Sequence, residues 1–150
     1  MESNALNQEL HDKAVPTIAD EMFTFPGSEF TPGVFHSTWG TYTNVPKRQM
    51  PVQHRWMGEL YPDIVIVDTA RSNIPMVVAE VETKDGLTLE KAVQLKWKPD
   101  MDESSILYVF VPEGCARDTA IMLLDYKVCF PTALYTYGFD NGGNLRLTPV

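Results

Sequence analysis

The clearest alternation of apolar and polar positions begins at residue 61. "YPDIVIVD" (61–68) and "MVVAEVETKDG" (76–86) are rich in Val and Ile, and the short "ARSNIP" between them predicts an antiparallel hairpin of strands over 63–69 and 76–84. In "LTLEKAVQLKWK" (87–98), Leu89, Ala92, Val93 and Trp97 recur at the i, i+3, i+4, i+8 spacing of one helical face, and Pro99 is expected to stop that helix. "SSILYVFVP" (104–112) is too apolar for a half-exposed strand and predicts a central one, buried on both faces. A further helix is expected over about 113–126, with Ala116, Ala120, Leu123 and Leu124 turned inward. "TALYTYGF" and "NLRLTP" flank "DNGG", whose Asn-Gly and Gly-Gly steps tolerate the positive φ of a tight turn, so the chain is expected to close with a hairpin. Upstream, residues 3–22 predict a helix interrupted at Pro16, and 23–53 mix Pro and Gly with aromatics and Thr, a pattern of irregular structure or short strands. This order of elements implies an α/β domain with a central mixed sheet flanked by helices.

Acids stand inside the predicted hairpin. Side chains alternate along a strand, so Met76, Val78, Glu80, Glu82 and Lys84 share one face while Val77, Ala79, Val81 and Thr83 take the other. Pairing across the loop sets Asp63 opposite residues 80 to 82, within a cross-strand neighbour's reach of Glu80 or Glu82. Three carboxylates in a partly buried site repel one another unless a cation compensates, and a hard divalent ion such as Mg²⁺ prefers carboxylate oxygens. Against this stands the ordinary alternative of a solvated strand edge.

Pro62-Asp63 at the start of one strand, Glu80-Val81-Glu82 on its partner and Gln94 on the following helix together resemble the PD-(D/E)XK nuclease superfamily, over about residues 59–112. That resemblance implies a restriction-endonuclease-like fold. It implies Asp63 and Glu80 as ligands of Mg²⁺ or Mn²⁺, with the backbone carbonyl of Val81 as a further ligand. Where the family carries lysine this chain carries Glu82; the alternative register, Glu82-Thr83-Lys84, keeps the lysine but places Thr at a position that is usually apolar. Lys84 is one co-facial step beyond Glu82 and is the candidate to reach back toward the site. Lys91, Gln94 and Lys98, at i, i+3 and i+7, are expected to share a phosphate-contacting helix face. The implied function is metal-dependent hydrolysis of phosphodiester bonds in nucleic acid, DNA rather than RNA, with a homodimer as one way to engage both strands. The alternative is a non-catalytic domain of the same fold that serves as an interaction or assembly module.

Composition narrows this picture. A chain of 150 residues with 44% hydrophobic content suits one domain over residues 1–150. The net charge of −8 sits poorly with a polyanionic partner, yet residues 47–98 hold eight of the twelve Lys and Arg against seven acids, a local +1 that leaves −9 elsewhere. Cys115 and Cys129 are far apart without a CxxC pair and are expected to be reduced and buried. His11, His36 and His54 form no i, i+4 pair, and His54 is expected at the surface. Neither a GxSxG elbow nor a GxxxxGK loop occurs, which excludes the commonest hydrolase and nucleotide-loop signatures. "MESNALNQELHDK" lacks the basic start and apolar stretch of a secretory signal, and no apolar run approaches a membrane span, so a soluble, cytoplasmic protein is expected.

Overall fold

A computed structural model describes residues 4–24, 38–126 and 131–150. Helix α1 (Asn4–Met22) leads to strand β1 (Trp39–Thr43) and a small hairpin, β2 (Val52–His54) and β3 (Gly58–Leu60). Strands β4 (Ile64–Asp68) and β5 (Ile74–Val81) follow, then a π-helix (Leu89–Trp97) that runs into α2 (Lys98–Glu103). Strand β6 (Leu107–Pro112), helix α3 (Ala116–Tyr126) and strands β7 (Ala133–Phe139) and β8 (Leu145–Pro149) complete the chain. Six strands form one mixed sheet in the order β1-β4-β5-β6-β7-β8. Neighbours are antiparallel except β5-β6 and β6-β7, which are parallel and joined through helices. The α/β class and the mixed sheet are therefore as the sequence predicts. His36, Cys129 and residues 25–37 of the stretch predicted as irregular lie outside the described residues, while the rest of that stretch carries β1 and most of β2.

Helices cover both faces of the sheet, which is why β4 reads as an unbroken apolar run. Ile64, Ile66, Val77, Ala79 and Phe110 pack against Ala14, Val15 and Ile18 of α1. Val65, Val67, Val78, Val109 and Val111 face Ala92, Val93 and Trp97 of the π-helix and Leu123 of α3. Each fully buried Val, Ile or Phe side chain contributes about 1.5–3 kcal/mol. Among the described residues, no helix is long and apolar enough to cross a membrane.

Several local expectations are corrected. Helix α1 runs unbroken through Pro16, which lies on its exposed side, while Ala14, Val15 and Ile18 remain clamped to the sheet. The burial of three neighbours outweighs one lost helical bond whose orphaned carbonyl can reach water. Pro99 does not stop its helix either. The turn before it widens, with the Lys98 N–H bonded to the Val93 carbonyl, and Pro99 falls in the first turn of α2, where a missing N–H costs little. In α3 the buried row is Cys115, Thr119 and Leu123, whereas Leu124 is 62% exposed and Ala116 and Ala120 are half-buried. The cause is the tight turn at Gly114 (φ +91°), which delivers Cys115 inward and rotates the predicted stripe by one position. His54 is buried, not at the surface: its Nδ1 accepts the N–H groups of Trp56 and Met57 at 3.1 and 3.0 Å, and its Nε2 meets Asp102 at 2.8 Å. Together with Arg55–Glu103 (3.0 Å), this bond pins the small hairpin to α2.

Asn44 ties the end of β1 to the start of β4. Its side chain donates to the carbonyls of Met50 (2.8 Å) and Pro62, accepts from the N–H groups of Gln49 (2.8 Å) and Met50 (2.9 Å), and is thereby fully satisfied while buried. Asn44→Ala should destabilise the protein by about 2–4 kcal/mol, because it strands several buried partners at once. Gln49→Ala, which removes a single exposed acceptor, should cost under about 1 kcal/mol. Urea unfolding of the two variants checks the difference; equal midpoints would refute it.

Candidate active site

The register of β4 and β5 builds the site. Ile64 lies opposite Ala79, which sets Asp63 across from Glu80 and turns both carboxyls to the face that the π-helix covers. The Val81 N–H donates to Asp63 Oδ2 at 2.8 Å, and the Asp63 N–H approaches Glu80 Oε1 at 3.4 Å. From α1, His11 Nε2 reaches Asp63 Oδ1 at 3.2 Å, while its Nδ1 meets Asp12 at 2.8 Å.

Glu82, two residues beyond Glu80, has no exposed surface. Lys96 Nζ donates to its Oε1 and Trp97 Nε1 to its Oε2, each at 2.7 Å, and Tyr137 donates its hydroxyl to the Glu82 carbonyl at 2.6 Å. Asp100, in the first turn of α2, is also buried beside Glu80, and its Oδ2 finds no partner among the described residues. A pocket of about 130 Å³ opens among Tyr61, Asp63, Glu80, Leu95, Lys96 and Asp100.

Asp63, Glu80 and Glu82 thus meet on one face, as the alternation predicts, and Val81 enters through its N–H. Lys84 does not join them. Strand β5 ends at Val81, so strand alternation no longer directs residue 84, which lies in a turn and lines a separate cavity of about 670 Å³ with Glu113, Cys115 and Tyr137. Gln94, Lys91 and Lys98 are exposed, and the lysine that enters the site is Lys96. The sequence reading misses it because it follows only the apolar members of the buried face, although Lys96 stands four residues after the buried Ala92. Asp100 and His11 were legible in principle: Asp100 continues the row 92, 96, 100, and His11 heads the α1 stripe 11, 14, 15, 18.

Proton affinities follow from this crowding. Burial raises Glu80 well above the usual carboxylate range, reinforced by the carboxyls of Asp100, Asp63 and Glu82. Burial likewise pushes Asp100 up to about 7, against the opposing effects of the Glu80 hydrogen bond and the Lys96 charge. Glu82 is raised by burial, while its bonds to Lys96 and Trp97 act the other way. For Lys96, burial favours the neutral amine, but Glu82 and Glu80 prevail and hold it above its ordinary value as a cation. Burial also works against charge on His11; Asp63 and Asp12 overcome it and raise its pKa to about 9.

Among the described residues no three His, Cys, Asp or Glu side chains converge as a ready-made metal cage. The donor set of Asp63, Glu80 and Asp100 is nevertheless all oxygen, with Glu80 and Asp100 in no ion pair among the described residues and an Asp100 oxygen left without a partner there, which fits a hard divalent cation. No protein-family model, curated protein or solved structure matches the chain.

The raised His11 pKa sets a stability profile. A folded pKa above the unfolded value means that the stabilisation is complete below about pH 6.5 and is lost as pH climbs through about 9. Unfolding free energy of the wild type should fall by on the order of 2 kcal/mol across that window. His11→Gln should flatten the profile there. Urea titrations from pH 6 to 10 measure it, and parallel profiles for the two proteins would contradict the assignment.

Proposed function

We propose that the protein is a metal-dependent phosphodiesterase acting on nucleic acid, DNA in preference to RNA, built in the manner of the PD-(D/E)XK nucleases. The observation that carries this reading is the pairing of Lys96 with Glu82. Where the resemblance implies a lysine on the strand, the chain holds an acid, and a lysine from the adjoining helix returns the positive charge to the same place at 2.7 Å. The order helix, three antiparallel strands (β1, β4 and β5), helix, parallel strand supports the same reading.

Asp63 and Glu80 would hold Mg²⁺ or Mn²⁺, which supplies charge neutralisation at the phosphoryl oxygens and a more acidic water. The chain's own groups supply the rest. Lys96, a cation with N–H bonds left over after Glu82, lines the pocket and can donate to an anionic phosphate oxygen as charge accumulates on it during in-line attack. It is a donor and not a base, because the surrounding carboxylates keep it protonated. Glu82, Trp97 and Tyr137 fix Lys96 in place, and His11 holds Asp63 by one oxygen.

A second reading, a non-catalytic domain used for interaction or assembly, is favoured by one observation: both Asp63 oxygens are already engaged, by His11 and by the Val81 N–H.

The enzymatic reading predicts Mg²⁺- or Mn²⁺-dependent cleavage of single- or double-stranded oligonucleotides. Asp63→Asn and Glu80→Gln should abolish it, and Lys96→Ala should lower kcat by about 10²–10³-fold, the scale for loss of one charge-stabilising donor. Lys84→Ala and Gln94→Ala should stay within about 2-fold, since neither side chain enters the pocket. Absence of cleavage across DNA and RNA substrates, with no rise in melting temperature on adding Mn²⁺, would favour the non-catalytic reading.

A further inference from the structure

Four carboxyls crowd the π-helix face of the sheet edge, and the groups able to compensate them are unevenly shared. Lys96 and Trp97 are committed to Glu82, and His11 to Asp63. Glu80 and Asp100, 4% and 1% exposed, have no ion pair among the described residues. They line one small pocket with Asp63, so their carboxyls face each other there. Asp100 Oδ2 is left buried with no donor among the described residues. An unpaired carboxylate oxygen in the interior costs more than an apolar side chain of the same size would. A purely structural role does not account for an acid at this position.

We propose that Asp100 is the helix-borne ligand of the divalent cation, so that the ion sits among Asp63 from β4, Glu80 from β5 and Asp100 from α2. This rests on the metal-dependent reading above and extends it to a residue that neither the strand motif nor its spacing includes. Asp100 lines the same pocket of about 130 Å³ as Asp63 and Glu80, and approaches it from the helix side. Glu82 is not part of the set, because both of its oxygens are taken by nitrogen donors. The cation gains the orphaned oxygen, offsets the repulsion among the carboxyls and cross-ties α2 to the sheet. Oxygen-only coordination selects Mg²⁺ or Mn²⁺ over softer ions.

The test uses Mn²⁺ alone, followed by calorimetric titration and by thermal melting with and without the ion, on the wild type, Asp100→Asn, Asp63→Asn, Glu80→Gln and the exposed control Asp125→Asn. Asp100→Asn should weaken Mn²⁺ binding at least about 10-fold and shrink the metal-induced rise in melting temperature, while the metal-free protein melts at or above the wild-type temperature because an amide donor replaces one of the crowded carboxyls. Asp125→Asn should match the wild type. A lower metal-free melting temperature with an undiminished metal-induced rise would assign Asp100 a structural role and overturn the proposal. If Asp63→Asn and Glu80→Gln lose Mn²⁺ and Asp100→Asn does not, the inference fails and the functional reading stands; if the wild type binds no Mn²⁺, both fail. Should Asp100→Asn not fold, Asp100→Cys decides the matter. A thiolate ligand there should recruit Cd²⁺ with a thiolate-to-cadmium ultraviolet absorption that the wild type lacks, and its absence would overturn the proposal.

Discussion

A carboxylate with no contact with water can persist only if its environment supplies what water did. Glu82 is that group, and the architecture around it reads as the answer to its burial. Lys96 and Trp97 take its two oxygens, and Tyr137 from β7 binds its backbone, so one residue joins the π-helix, the middle of the sheet and the C-terminal strands. Removing Lys96 leaves a buried charge uncompensated, which costs about 3–5 kcal/mol for buried pairs, whereas removing Trp97 or Tyr137 strands a buried acceptor at about 1–3 kcal/mol. The same bonds set the position of the ammonium group on which the proposed chemistry depends.

Lys96 and Trp97 reach Glu82 from a helix of widened pitch, which departs from the usual hydrogen-bond geometry, and such turns are frequent at functional sites. Pro99 marks the point where the coil tightens again, and Asp100 follows directly as the first acid of α2.

Much of the fold was legible because burial on two faces imposes simple patterns. The Ile-Val alternation of β4 and β5, the apolar run of β6 and the "DNGG" turn each correspond to an observed element. The meeting of Asp63 with Glu80 followed from strand parity alone. What escaped in part depends on a departure from regular geometry: the end of β5 that releases Lys84 and the one-position rotation of α3; Lys96 escaped because a stripe of apolar residues leaves out a charged member of the same buried helical row. Sequence periodicity assumes a constant pitch and a strand of known length, and at the first two of these places one assumption fails. His11 escaped for another reason: α1 is distant in the chain, and nothing local links its stripe to the hairpin.

The small hairpin of β2 and β3 has a mechanical meaning. It is bolted by His54 and Arg55 to Asp102 and Glu103, which belong to the same short helix as Asp100. Its tip carries Trp56, 79% exposed, with the Arg55 guanidinium over the indole at 5.5 Å. Tip and buried acid therefore share one rigid mount, and a push on the indole from outside is felt as torque at the floor of the pocket.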